Sequence, residues 1–202
     1  HCGLLPKLFK HGFAGTIYAS PPTADLLPIM LADSAYIQEK DTEHENRRRL
    51  RKGLEPRQPL YTEEDVEKTV SRIHEIDYNE SMQAAPGVTF RLRDAGHVIG
   101  SSIVELFVEN EDAGETKTVF SGDLGQWDVP IIEDPTFIWN SDYVFVESTY
   151  GDRLHQKDLP RKEELFKHIR RTCGRGGKLL IPCFALERTQ ELLYVIHELY
   201  AE

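Results

Sequence analysis

From Val88 the apolar pattern changes to short runs with a period of two, and no other feature of the chain constrains its fold as much. Val88, Phe90 and Leu92 alternate with other residues, as do Val104, Leu106 and Val108, and a third run, Lys117 to Ser121, follows a turn at Asp112-Ala113-Gly114. A period of two puts each apolar set on one face of a strand, so the segment predicts a meander of antiparallel strands. Before it the signals are mostly helical. Leu4 to Lys10 reads as a short turn, Ala24 to Lys52 as a long helix and Thr16 to Ala19 as a strand. Thr62 is placed to cap a further helix, with Asp65 in a capping-box position and Val66, Val70 and Ile73 along one face. After the meander, the apolar runs Tyr143 to Val146 and Leu179 to Ile181 read as buried strands. A helix around Pro160 to Thr172 separates them, and a last helix spans Ala185 to Tyr200. Helices and a meander followed by alternating strand and helix describe an α/β chain with a boundary near residue 152.

Charge and composition remove several classes. The 202 residues carry 34 acidic and 24 basic side chains, a net −10, which excludes a basic nucleic-acid-binding module. With 40% hydrophobic residues the chain is too apolar for disorder, and no apolar run approaches the ~20 residues of a membrane span. Cys2, Cys173 and Cys183 are odd in number and form no C-x-x-C pair, so neither a disulfide framework nor a cysteine zinc site is indicated, and the cytoplasm is the expected location. The first residue is His1 and the last helix stops without a cap, so the chain reads as cut at both ends. The one charge run, Arg47-Arg48-Arg49 with Arg51 and Lys52, reads as a solvated helix face, because Glu43 and Glu45 stand four residues before Arg47 and Arg49. Contact with RNA is the alternative.

Three polar residues stand where strands hand over to loops. His97 lies between Gly96 and Gly100, Asp123 between Gly122 and Gly125, and Glu147 directly follows Tyr143-Val144-Phe145-Val146. Imidazole nitrogen and carboxylate oxygen are suitable donors for zinc, and loops at strand ends allow them to converge. Taken singly, each also fits a local role, as an Asx turn, a loop hydrogen bond or a helix cap.

In this order and context the residues resemble the metallo-β-lactamase superfamily, and within it the β-CASP nucleases, both the cleavage and polyadenylation specificity factor nuclease-like and the ribonuclease J-like members. His1-Cys2-Gly3-Leu4-Leu5-Pro6 resembles the final histidine of the H-x-H-x-D-H motif and the helix after it. Gly96-His97 resembles the third motif, Ser121-Gly122-Asp123 the fourth, and Glu147-Ser148-Thr149-Tyr150-Gly151 motif A. Leu180 to Glu191 is similar to the start of the β-CASP insertion, with Glu187 standing where a glycine is usual, and Leu60 to Val66 fits the cleavage-factor-like branch.

The resemblance implies a partial metallo-β-lactamase αββα sandwich over residues 1–152 and the start of an α/β β-CASP domain over 153–202. It implies two zinc ions per full-length chain, with His1 on the second, His97 on the first and Asp123 bridging them, and a hydroxide activated by both metals that attacks RNA phosphorus. Glu147 is implied to orient a leaving-group histidine that lies outside the chain. Arg188 is a candidate phosphate contact, with a surface ion pair to Glu191 as the alternative. The implied function is endonucleolytic, and extends to exonucleolytic, RNA processing. The implied partners are RNA and either a second copy of the chain or an RNA-processing complex, with no membrane. A scaffold subunit that has lost catalysis, a DNA-directed nuclease and a small-molecule hydrolase are the competing readings.

Overall fold

The computed structural model describes residues 2–110, 114–153 and 161–201. The chain begins with α1 (Leu5–Lys10), β1 (Ile17–Ala19), the long α2 (Pro21–Arg51) and α3 (Glu63–Val70). Strands β2 (Ile73–Glu75), β3 (Ser81–Ala85), β4 (Val88–Asp94), β5 (Ser102–Asn110), β6 (Gly114–Phe120) and β7 (Tyr143–Phe145) follow, then α4 (Arg161–Cys173) and α5 (Arg188–Ala201). This is a mixed α/β fold. Among the described residues no helix is long and apolar enough to cross a membrane.

The period-two segment forms the predicted meander. Strands β3 to β6 pair antiparallel in sequence order, with Phe90 opposite Leu106 and Leu92 opposite Val104, so the alternating apolar residues share one face. On that face Ile76, Phe90 and Leu92 are buried and pack with Tyr18, Tyr78, Met82, Val104 and Leu106. A second cluster combines Ala95, Ile103 and Val119 with Leu124 and Ile138 from the connection to β7. The expected turn at 112–114 lies largely outside the described residues, as does Pro160, the expected start of a helix.

The helical layer has its own core. Ala24, Leu27, Leu31 and Ala35 recur at helical spacing along α2 and pack against Ala19, Tyr61 and Val66. Two prolines open α2, where a missing N–H costs nothing, and the helix starts three residues before the expected Ala24. Tyr61 is fully buried; its hydroxyl donates to the Gly3 carbonyl at 2.6 Å and shares a 2.7 Å hydrogen bond with Ser34, fixing the start of the chain against α2. The Thr62 cap forms as predicted, its backbone N–H donating to Asp65 Oδ2 at 3.0 Å.

Three expectations are corrected. Ile73 does not continue the face of α3: the helix ends at Val70, and Ile73 begins β2, paired in parallel with Ile17. Tyr143 to Phe145 do form a strand, parallel to β6, but they lie at the sheet edge and remain 62%, 58% and 60% exposed. Leu179 to Ile181 form no strand, because no ladder partner stands beside them among the described residues, and Leu180 is 88% exposed. An apolar run shows what a strand could bury; neighbours decide whether it does.

Candidate metal centre

Two loops at one end of the sheet carry the candidate ligands. Strand β4 ends at Asp94, whose Oδ1 accepts the Gly96 N–H at 2.8 Å in an Asx turn. Ser101 closes the same loop: its hydroxyl accepts the N–H groups of His97 and Val98 at 3.1 and 3.2 Å, and its carbonyl accepts the Tyr78 hydroxyl at 2.8 Å. The imidazole of His97 therefore projects from a backbone fixed on both sides. The hydroxyls of Ser20, which precedes α2, and of Thr23 in its first turn lie 2.7 and 2.8 Å from the Gly100 carbonyl, so the N-terminal end of that helix is anchored to this loop.

The second loop follows β6 and bears Asp123. It is pressed against the first: Gly125 donates its N–H to the Ala95 carbonyl at 2.9 Å, and a Cβ at Gly125 would stand 1.4 Å from the Gly96 carbonyl oxygen. Only glycine permits that approach. As a result His97 Nε2 and Asp123 Oδ2 lie 3.9 Å apart, with side chains 44% and 41% exposed.

Glu147 stands behind this pair. Its Oε1 accepts the Leu124 N–H at 2.6 Å, its Oε2 accepts the Thr149 hydroxyl at 2.8 Å, and its own N–H donates to the Ser121 hydroxyl at 3.1 Å. The Leu124 amide, more than the Thr149 hydroxyl or the nearby His97, holds the Glu147 carboxyl below the usual carboxylate range. Glu147 thus fixes the residue next to Asp123. The sequence shows the carboxylate at the strand end but not this use of it.

His97, Asp123 and Glu147 line one open cavity of about 730 Å³, together with Glu187, Arg188 and Glu191. Arg188 is the first residue of α5 and is 61% exposed at its side chain; it forms the ion pair with Glu191 that was the alternative to a phosphate contact. Glu187, the residue that stands where a glycine is usual, has φ +71°, the left-handed conformation glycine favours. Burial and then Glu191 push its carboxyl up, while the Ile99 amide pulls the other way. Thr149 and Glu187 are site-lining groups to which sequence reasoning gave no role. The departure from glycine was visible at Glu187; Thr149 is marked only by following Glu147.

The donor chemistry suits zinc. Ligands at 2.0–2.1 Å in a tetrahedron stand about 3.4 Å apart, so a closure of about 0.5 Å would bring the two donors to that geometry. Among the described residues no group of three or more His, Cys, Asp or Glu side chains converges as a metal set, and His1 lies outside them.

Comparison with known proteins places the chain. No family model matches it. It is 34% identical over 197 residues to ribonuclease TTHA0252 of Thermus thermophilus, covering 98% of the chain and 40% of that protein. It is 32% identical over 203 residues to the transcription termination factor FttA of Pyrococcus horikoshii and 31% identical over 206 to FttA of Methanocaldococcus jannaschii, spanning 28% and 29% of their lengths. The chain belongs with these proteins to the β-CASP group of the metallo-β-lactamase family.

Proposed function

We propose that this chain is part of a zinc-dependent nuclease that hydrolyses RNA phosphodiester bonds in RNA processing. One observation carries the reading. An imidazole and a carboxylate from separate strand ends lie 3.9 Å apart on the wall of a cavity of about 730 Å³, and the Glu147 carboxylate holds the loop that bears Asp123. Unrelated loop residues have no reason to converge in this way. A relative named a ribonuclease and relatives named transcription termination factors support RNA as the substrate.

In this reading His97 and Asp123 would hold the metal, with His1 as a further ligand, and Asp123 would serve a second ion as well. Zinc held there supplies Lewis acidity toward water and toward phosphate oxygens. The chain's own residues do the positioning. Glu147, through the Leu124 amide, keeps Asp123 aimed into the cavity, and its low pKa keeps it an acceptor at neutral pH. Arg188, which lines the cavity, exchanges its Glu191 partner for a substrate phosphate. Residues 1–152 form the partial metallo-β-lactamase sandwich and 153–202 the beginning of the β-CASP domain. Three cysteines without disulfides fit work in the cytoplasm.

The test is cleavage of a defined single-stranded RNA by the zinc-loaded intact protein and by its Asp123→Ala and His97→Ala variants, with bound zinc measured in each. Loss of both zinc and cleavage in a folded variant is expected. Wild-type cleavage by Asp123→Ala would refute the metal mechanism, and cleavage of DNA in preference to RNA would reassign the substrate.

A further inference from the structure

The basic run at the end of α2 is not the neutralised face its sequence suggests. Five of the six residues from Arg47 to Lys52 are cationic in a chain of net charge −10. Glu45 does reach Arg49, at 4.0 Å, but it also pairs with Arg57 at 3.3 Å, and Glu43 pairs with Lys40 at 3.2 Å. Arg47, Arg48, Arg51 and Lys52 are all exposed and make no ion pair among the described residues. Helical spacing places Arg47 beside Arg51 and Arg48 beside Lys52, two like-charged i,i+4 pairs that repel at about 5–6 Å between Cβ atoms. A single cation is enough to oppose the negative end of a helix dipole, so the remaining charges exceed what α2 needs. Arg48, Arg49 and Lys52 moreover line a shallow cavity of about 330 Å³ with Glu45 and Leu54, separate from the cavity of His97 and Asp123.

We propose that this cluster is a second contact for the phosphate backbone of the RNA substrate, engaged by the strand after it leaves the cleft. The proposal rests on the nuclease reading for the identity of the polyanion. Charge complementarity selects the occupant: a phosphate at each nucleotide relieves both repelling pairs at once, and arginine forks suit phosphate oxygens. The fold sets the distance. Thr23 binds the Gly100 carbonyl in the His97 loop, and from Thr23 to Arg48 the helix rises up to about 38 Å at 1.5 Å per residue. A stacked strand advancing about 3.4 Å per nucleotide covers that length in about a dozen nucleotides. The contact is therefore available to long RNAs and out of reach of short ones bound in the cleft.

The test compares the intact protein with its Arg48→Gln/Lys52→Gln variant on RNAs of 8 and 24 nucleotides. Gln keeps the exposed helix and removes two charges. In cleavage assays the variant should raise KM for the 24-mer about tenfold at 0.15 M salt, leave kcat unchanged and leave the 8-mer unaffected. In a separate binding titration with EDTA present, which stops cleavage, the slope of log affinity against log salt for the 24-mer should fall by about 1.4. An unchanged 24-mer slope and affinity would overturn the proposal and leave the patch to an acidic protein partner. Equal weakening of both lengths would overturn it too, since general charge and not reach would then be at work. If the wild type cleaves neither RNA, the nuclease reading has failed, and the titration still decides whether the cluster binds the strand.

Discussion

Replacing Gly125 by Ala tests whether the contact between the two loops creates the metal site. The added Cβ would stand 1.4 Å from the Gly96 carbonyl oxygen, 2.1 Å from its carbon and 2.8 Å from the His97 nitrogen. All three are backbone atoms, so no side chain can rotate away. An ordinary contact requires the loops to separate by about 2 Å. His97 and Asp123 now stand 3.9 Å apart, and two donors that share an ion at 2.0–2.1 Å can be no more than about 4.1 Å apart. Tetrahedral zinc needs those donors about 0.5 Å closer still, and a separation of the loops acts in the opposite direction. Zinc affinity should fall by at least 10- to 100-fold, the range seen when support behind a ligand is removed. The fold should lose about 1–3 kcal/mol, as in other overpacked sites. Zinc titration by calorimetry reads the first and thermal melting of the zinc-free protein the second. A Gly125→Ala protein that binds zinc as tightly as the wild type would show that the loop contact does not create the site.

Three further outcomes follow from named contacts. Glu147 has a folded pKa below its unfolded one, so its stabilisation is full above the ordinary carboxylate range and is lost as pH falls through the folded value; the difference in melting temperature between wild type and Glu147→Gln should be constant above about pH 5 and shrink in acid, and a pH-independent difference would contradict it. Glu105 is 2% exposed; burial pushes its carboxyl up, but Arg91 at 2.8 Å and Lys117 at 2.6 Å bring it below the usual value. Glu105→Ala should cost about 3 kcal/mol in urea unfolding by stranding both cations, and the Arg91→Met/Glu105→Leu/Lys117→Met triple variant should recover most of that loss. Arg188→Ala should raise KM for RNA several-fold with little change in kcat, while an unaltered KM would mark its ion pair with Glu191 as purely structural.

The meander was legible in the sequence because its information is local: Phe90 and Leu92 alternate, a turn follows, and the partners Leu106 and Val104 lie within the next hairpin. The parallel pair β1 and β2 was not, because Ile17 meets Ile73 across the whole length of α2, and Ile73 also fits the helical spacing of Val66 and Val70. Exposure of Tyr143 and Leu180 was likewise hidden, since it depends on neighbours and not on the apolar run itself. At the site, His97 and Asp123 stood out as polar residues flanked by glycine at strand ends. The reason for those glycines, the closeness of Gly96 and Gly125, exists only in three dimensions. The same holds for the Leu124 amide that engages Glu147 and for the left-handed backbone of Glu187.

Diffraction from zinc-loaded crystals of the intact protein, measured at the zinc absorption edge, decides whether His97 and Asp123 hold a common metal. An anomalous peak is expected within about 2.2 Å of both His97 Nε2 and an Asp123 carboxylate oxygen. A zinc ion bound by other residues, with His97 and Asp123 both outside its coordination sphere, would contradict it.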